Sequence, residues 1–194
     1  MSPERLNRLL AGFVFLASFL VYFSTMAPTV SFWDCGEYIA TSYRLGVPHP
    51  PGAPLFLILG RFFSLLPIPG DIAYRVNMIS VITSALAIML LYLIIVQFVR
   101  HWRGHINSVE DKIIAFGGGV IGALVFAFTD SHWFNAVEAE VYAVSTLSTA
   151  PVSYTHPRAH ETSLHLVCRL LLETTKHPSA PLGHLNKCVA INHP

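Results

Sequence analysis

The sequence predicts an all-α, polytopic transmembrane protein with a long extracytoplasmic first loop. Hydrophobic residues make up 53% of the 194 residues and charged residues only 12%, whereas a soluble domain carries about 25% charged residues. The net charge of +1 gives no indication of a nucleic-acid partner. The three cysteines match neither a metal-ligand spacing nor a disulfide framework. Composition therefore indicates a membrane protein.

Three runs without a charged residue locate the predicted spans. A helix needs roughly 17 to 25 apolar residues to cross the bilayer core. We therefore predict spans at about residues 9–30, 76–99 and 113–129, and the start of a fourth near Val141. The first run is longer than the ~7 to 15 apolar residues of a signal peptide, so we interpret it as a retained anchor.

Basic residues near the span ends predict the orientation. Arg5 and Arg8 precede the first span, and Arg100, Arg103 and Lys112 lie between the second and the third. Basic residues are enriched in cytoplasmic loops. We expect a multi-pass protein of the inner (plasma) membrane with a cytoplasmic N-terminus, whose loop from residue 27 to 75 is extracytoplasmic.

The composition changes at about Pro151. Six of the ten histidines fall in the last 44 residues, and no run there is long enough to cross a membrane. The stretch VSYTHPRAHETSLHLVCRLLLE resembles a translated sequencing-library adapter. We predict that residues 151–194 are a non-native tail on an N-terminal fragment, residues 1–150, of a larger protein. A divergent cytoplasmic tail is the alternative.

The first loop carries the first candidate site. At 49 residues it is longer than most structureless connections, and such loops are usually functional. SFWDCGEYIATSYRLG, residues 31–46, predicts a short helix capped by Ser31, with Asp34 and Glu37 on one face. The following prolines hold His49 in a stiff extended segment. Residues 55–67 are apolar but too short to span, which favours an interfacial helix.

These residues also have structural interpretations. Asp34 could cap its helix or pair with Arg44, and His49 could be a structural histidine in a proline-rich turn. Against this, a carboxylate at the membrane edge that faces a protein cavity is typical of a functional site.

A second acidic cluster follows the third span. TDSHWFNAVEAEVYAVSTL, residues 129–147, contains Asp130, Glu138 and Glu140. In a continuous helix Glu138 and Glu140 would be about 200° apart, so we expect only Glu138 to share a face with Asn135 and Tyr142. Glu140 would then point toward headgroups, another helix or an arginine such as Arg61. A solvated helix entry is the structural alternative.

The motifs FWDCGEYIATSYRLGVPHPPGAPLF and WFNAVEAEVYA, in that order with two spans between them, resemble a bacterial membrane family. That family is grouped with protein O-mannosyltransferase-like glycosyltransferases of the GT-C type and was formerly a domain of unknown function. The resemblance covers about residues 8–150. It implies the N-terminal part of a GT-C-like fold, in which the first extracytoplasmic loop carries an essential acid near the end of span one. Asp34 occupies that place, and Glu37 accompanies it.

The resemblance implies transfer of a sugar from a polyprenyl-phosphate donor to a protein or glycan hydroxyl on the extracytoplasmic side. Asp34 and Glu37 are then the candidate catalytic residues, because a carboxylate can accept the proton of the acceptor. The candidate substrate-binding residues are His49, Arg44, Arg61, Glu138 and Glu140. We expect the fragment to be inactive by itself.

Two other classes remain open at this stage: a membrane transporter, and a non-catalytic lipid-binding or assembly subunit. Acids inside the spans would favour a transporter, and the three uncharged runs contain none. The sequence indicates no specific metal ligands and no certain cofactor, although a divalent cation is compatible with the acids. The expected partners are the lipid donor, the acceptor and membrane lipid.

Overall fold

A computed structural model describes residues 2–104 and 108–151, which belong to one compact unit ending at Pro151. The predicted non-native tail lies outside the described residues, apart from Pro151 itself, and stays a prediction.

The described residues form helices and connecting turns, and none of them is in a β-strand. The helices are α1 (Pro3–Thr25), α2 (Cys35–Arg44), α3 (Pro54–Ser64), α4 (Ile72–Arg103), α5 (Val109–Lys112), a π-helical turn (Ile113–Gly117), α6 (Gly118–Ala127), α7 (Asp130–Val137) and α8 (141–151).

Two helices, α1 and α4, are long and apolar enough to cross a membrane. The segment Val109–Ala127 meets α7 at 68°, and the two would form a third span if the bent pair crosses as one. The predicted fold class, all-α with transmembrane helices, is confirmed. The number of crossings and their orientation remain predictions.

The observed helices begin earlier than the uncharged runs. Helix α1 begins at Pro3 because Ser2 accepts a hydrogen bond from the Arg5 backbone N–H, at 3.4 Å, and proline suits the first helical position. Helix α4 begins at Ile72 because the Asp71 side chain accepts from the Tyr74 N–H at 2.8 Å. The uncharged run therefore locates the apolar part of each helix, whereas the N-capping residue locates the position at which the helix begins.

Helix α4 forms the centre of the fold and packs against α1, α3, α6 and α7. Two tyrosines on these helices join distant segments. Tyr22 donates to the carbonyl of Ala127 at 2.8 Å, and Tyr92 donates to Asn7 at 2.9 Å. Buried hydroxyl groups need such partners, so these bonds fix α1 against α4 and α6.

The first loop folds into two helices on the N-terminal part of α4. Tyr38 and Phe56 make an edge-to-face contact between α2 and α3, with ring centroids 5.7 Å apart. Gly60 of α3 lies so close to α2 that an added Cβ would come within 2.6 Å of the Ser42 Cβ. The loop is thus a packed platform. Helix α3, Pro54–Ser64, overlaps the short apolar helix expected at residues 55–67, and its interfacial position stays a prediction.

The start of α2 differs from the sequence prediction. The helix begins at Cys35, with Asp34 at the N-cap position, so Ser31 does not cap it. The reason is Trp33, whose φ of 60° lies in the left-handed region and is incompatible with a helix continuing from residue 31. The Asp34 side chain makes no capping hydrogen bond, which leaves its carboxylate available to other groups.

Candidate active site

Helix α2 and the proline segment after it bring Asp34, Glu37 and His49 together. Glu37, in the first turn of α2, accepts hydrogen bonds from the His49 backbone N–H and ring Nδ1, at 2.7 Å each. His49 Nε2 lies 4.0 Å from the Asp34 carboxylate. The prolines on both sides of His49 restrict its backbone. The His49 ring is therefore held both by its backbone and by its contact with Glu37.

This contact changes the acid–base properties of both partners. The hydrogen bond that the His49 ring donates to Glu37 raises the pKa of His49 above its ordinary value of 6.5, because a negative acceptor favours the protonated ring. The His49 hydrogen bonds in turn lower the pKa of Glu37. Glu37 is therefore ionised at neutral pH and orients the imidazole with Nδ1 as the donor.

The second acidic cluster lies on a break between α7 and α8. Helix α7 ends at Val137, and Glu138 has an extended backbone with φ −137° and ψ 165°. The prediction that Glu138 and Glu140 face opposite directions is therefore wrong, because it assumed one continuous helix. Both residues are buried, at 8% and 7% exposure, and both line the same cavity.

Two contacts hold this break, one to the residue that follows α1 and one to α4. The backbone N–H of Ala27, after α1, donates to the carbonyl of Val137 at 2.9 Å. The Ser80 hydroxyl on α4 accepts from the Glu140 N–H at 3.3 Å and lies 3.5 Å from the Glu140 carbonyl oxygen. These contacts bring together acids that are about a hundred residues apart in the chain.

The two clusters enclose a cavity of about 420 Å³, a size within the range of small-ligand sites. Asp34 is half exposed there, with 58% of its side chain accessible, whereas Glu37 stands behind His49. The lining residues are Trp33, Asp34, Tyr38, His49, Pro51, Gly52, Asn135, Glu138, Glu140, Val141 and Tyr142.

The cavity is strongly acidic within the described part of the chain. Three carboxylates and one imidazole line it, and no described Arg or Lys does. Burial raises the pKa of Glu140, and the carboxylates of Glu138 and Asp34 raise it further. Mutual repulsion of this kind is typical of functional sites, although structural networks also produce it.

The predicted arginines lie outside the cavity. Arg61 donates to the Tyr43 carbonyl and places its guanidinium 5.3 Å from the Tyr43 ring centre. Arg75 donates to the carbonyls of Ser64 and Gly70, at 3.0 and 3.1 Å. Arg44 is exposed at the end of α2, and no ion pair joins it to Asp34 within the described residues. Substrate binding by Arg44 and Arg61 remains a prediction without support from this geometry.

Asn77 is a residue that the sequence analysis did not single out. It is fully buried on α4, and its amide donates to the carbonyls of Ala27 and Thr29 at 2.9 and 3.2 Å. Its oxygen accepts from the Cys35 thiol at 3.8 Å. Asn77 thus fixes the chain on both sides of Asp34. The sequence did contain a signal for Asn77, because an asparagine near the start of an apolar run needs a hydrogen-bond partner when it is buried.

The apolar helices and the acidic cavity beside them define a helical membrane protein with an ionisable site on one end of its fold. A family model described as "Protein O-mannosyl-transferase TMEM260 N-terminal domain" matches residues 34–171. The chain belongs to this family, which confirms the resemblance to O-mannosyltransferase-like proteins. The match begins at Asp34 and includes residues 151–171, the first twenty-one residues of the predicted non-native tail.

Two relatives give the scale of the similarity. The chain is 28% identical over 145 residues to "Protein O-mannosyl-transferase tmem260" of Dictyostelium discoideum, covering 73% of this chain and 16% of that protein. It is 31% identical over 135 residues to the Mus musculus protein of the same name, covering 69% of this chain and 17% of that protein. The matched part therefore spans about one sixth of each relative. No solved structure matches the chain.

Proposed function

We propose that this chain forms part of a membrane glycosyltransferase that moves a sugar from a polyprenyl-phosphate donor to a hydroxyl of a protein or glycan on the extracytoplasmic side. The names of the relatives favour mannose as the sugar. The observation that carries the proposal is the cavity beside the apolar helices, with the Asp34 carboxylate accessible in its wall.

Asp34 is the proposed general base. An acceptor hydroxyl must lose a proton as it attacks the sugar, and a positioned carboxylate can accept it. One oxygen of Asp34 lies near His49 Nε2 at 4.0 Å, which leaves the second oxygen to face an acceptor. The Asp34 side chain makes no helix-capping bond, so its position is not explained by the stability of α2.

Glu37 takes a different role in this proposal from the one the sequence suggested. Both of its oxygens are engaged by His49, and it does not line the cavity. We therefore assign Glu37 as a positioning residue for His49. Glu138 and Glu140 are proposed to meet the polar part of a substrate, since both line the cavity.

A lipid-linked donor accounts for the location of the site. The apolar helix α3 carries outward-facing Leu55, Ile58 and Phe62, which are 56%, 64% and 60% exposed. Such a surface next to the cavity suits the polyprenyl chain or the bilayer interface.

The test is sugar transfer by the full-length protein from polyprenyl-phosphate-mannose to a hydroxyl acceptor. Asp34→Asn should lower turnover by about 10² to 10⁴-fold, the usual contribution of a general base, with the unfolding temperature little changed. Asp130→Asn is the matched control, because Asp130 is an exposed acid in the first turn of α7 outside the cavity lining.

Near-normal turnover of Asp34→Asn would reject Asp34 as the base and make Glu138 the next candidate. No transfer by the wild-type protein from any lipid-linked sugar would reject the proposed activity. A transporter or a non-catalytic assembly subunit would then be the remaining alternatives.

A further inference from the structure

The polar lining of the cavity indicates which part of a lipid-linked sugar it fits. Three of its side chains are the carboxylates of Asp34, Glu138 and Glu140, and no described Arg or Lys lines it. Carboxylates repel an anion such as a phosphate, whereas they accept hydrogen bonds from hydroxyl groups. The described lining therefore suits a neutral group that is rich in hydroxyls.

Aromatic residues form the second part of the lining, namely Trp33, Tyr38 and Tyr142. The face of an aromatic ring carries partial negative charge and attracts polarised C–H bonds. A hexose has such bonds on the faces of its ring and hydroxyl groups around its edge, so it can stack on an aromatic ring while its hydroxyls reach carboxylates. The cavity volume of about 420 Å³ favours one sugar ring over a longer glycan.

Trp33 is the lining residue that the packing of the fold explains least. Its φ of 60° lies in the left-handed region, which is disfavoured for a bulky side chain. The residue is 91% exposed, and within the described residues its ring stacks on no other ring and meets no cation. Strained backbone of this kind occurs most often at functional sites. The exposed indole is therefore available to a ligand in the cavity.

The position of Trp33 links this ring to the proposed chemistry. Trp33 immediately precedes Asp34 in the chain, and both residues line the cavity. The buried amide of Asn77 holds the chain before them through the Thr29 carbonyl, and its oxygen accepts from the Cys35 thiol after them. A sugar ring on the indole would thus lie beside the carboxylate that is proposed to accept the acceptor's proton.

We propose that the sugar of the lipid-linked donor stacks on the indole of Trp33, with Glu138 and Glu140 accepting hydrogen bonds from its hydroxyl groups. Trp33 is then a specificity-determining residue of the transfer. This inference rests on the proposed function and adds the part of the donor that the cavity binds. The donor phosphate lies outside the described lining, because three carboxylates would repel it.

The competing arrangement is an anchor at the membrane surface. Phe32, the neighbour of Trp33, is 83% exposed and is not among the described lining residues. Tryptophan is enriched at membrane–water interfaces, so both side chains could insert into the headgroup region together. An anchor predicts that the two residues act alike and that neither distinguishes a sugar from its lipid carrier.

The first measurement is the KM and kcat of the full-length protein for polyprenyl-phosphate-mannose. Trp33→Ala should raise KM by about 5 to 10-fold, the effect of losing one aromatic contact. The value of kcat should change little, because stacking is present before the reaction as well as during it. Trp33→Phe should restore most of the loss, and Trp33→Leu should not.

Two matched controls accompany these variants. Phe32→Ala removes the equally exposed neighbour, and Trp102→Ala removes a tryptophan that is 86% exposed at the end of α4, outside the described lining. Both variants should keep the KM of the wild type.

The second measurement reports binding without transfer. In protein labelled with 5-fluorotryptophan, the ¹⁹F resonance that is missing from Trp33→Phe belongs to Trp33. In the wild type this resonance should shift saturably with polyprenyl-phosphate-mannose and should stay in place with polyprenyl phosphate, which lacks the sugar.

The outcomes separate this inference from the proposed function. An unchanged KM in Trp33→Ala, equal effects of Phe32→Ala and Trp33→Ala, or equal shifts with the two lipids would overturn the stacking of the sugar on Trp33, and sugar transfer by the wild type would still stand. If the wild type transfers no sugar but the resonance responds only to the sugar-bearing lipid, the cavity is a sugar site and the proposed transfer is rejected.

Discussion

Glu37 and His49 are twelve residues apart in the chain, and the Glu37 carboxylate accepts from both the backbone N–H and the ring of His49 at 2.7 Å. A helix and a proline-rich segment are thereby joined by one side chain. Because the backbone contact fixes the position of His49 and the ring contact fixes its rotation, Nε2 has a defined direction toward Asp34. Although Glu37 and His49 are both partly exposed, this double contact is sufficient to fix the direction of His49 Nε2.

Replacing Glu37 by Gln should lower the pKa of His49 toward its ordinary value of 6.5, because the Glu37 hydrogen bond is the largest cause of its elevation. The measurement is a titration by NMR with ¹³C-labelled histidine in the presence of a chelator, using His49→Gln to assign the resonance. Glu110→Gln should leave the midpoint unchanged. An equal midpoint in the wild type and Glu37→Gln would contradict the observed contact.

The same pair makes stability depend on pH. The raised pKa of His49 means that its stabilising contribution is present when the ring is protonated and is lost as the pH rises through that pKa. The lowered pKa of Glu37 means that its contribution is lost as the pH falls through its folded value. The difference in unfolding temperature between the wild type and Glu37→Gln should therefore be largest between these two pKa values, and smaller at pH 9.

The sequence was sufficient to predict the helices because hydrophobic length is a direct physical requirement of the bilayer. The sequence also predicted that Asp34 and Glu37 share one face of a short helix, and it identified His49 as a candidate substrate-binding residue. It could not predict the break at Glu138, because no glycine or proline interrupts residues 130–147. That break depends on Ser80, which binds the Glu140 backbone from another helix.

The arginines illustrate a second limit of the sequence. Charge alone suggested that Arg61 could contact an anionic substrate. In the fold its guanidinium contacts the Tyr43 carbonyl and ring, and backbone carbonyls also occupy Arg75. Side-chain partners of this kind depend on tertiary packing, which periodicity and composition do not encode.

Gly60→Ala should destabilise the platform formed by α2 and α3. The added Cβ would come within 2.6 Å of the Ser42 Cβ, and overpacking of this kind costs about 1 to 3 kcal/mol. The measurement is thermal unfolding in detergent. Gly12→Ala is the matched control, because an added Cβ there has no neighbour within 4 Å. Adding Ser42→Gly to Gly60→Ala should restore part of the loss, and a neutral Gly60→Ala would contradict the close packing.

Asn77→Leu should loosen the segment that carries Asp34. The substitution removes the donors to the Ala27 and Thr29 carbonyls, and an unsatisfied group in such a position costs about 1 to 3 kcal/mol. Thr83→Val is the control on the same helix, because among the described residues the Thr83 hydroxyl donates to the carbonyls of Ile79 and Ser80, both within α4.

Local loosening can be separated from global unfolding by the reactivity of Cys35, which is fully buried beside Asn77. In Asn77→Leu the thiol should react faster with a small alkylating reagent below the unfolding temperature, whereas in Thr83→Val its rate should match the wild type. Equal rates in all three proteins would show that Asn77 does not hold this segment.

The predicted orientation can be tested with two exposed positions on opposite sides. Val47, in the first loop, is 90% exposed, and Val109, after α4, is 72% exposed. If the basic residues set the topology, Val47→Cys should react with a membrane-impermeant thiol reagent in intact cells. Val109→Cys should react only after the membrane is opened. Labelling at Val109 in intact cells, with Val47 protected, would reverse the orientation and place the cavity on the cytoplasmic side.

The three cysteines already present in the sequence determine the control for this experiment. Cys168 and Cys188 are replaced by Ser in both variants, and Cys35 is retained because it is fully buried. Burial also raises the pKa of the Cys35 thiol, which lowers its thiolate fraction and its reactivity. Cys35 should therefore label only after denaturation and report that the reagent is active. Ready labelling of Cys35 in the native protein would contradict the packing of α2 against Asn77 and remove the basis for the defined position of Asp34.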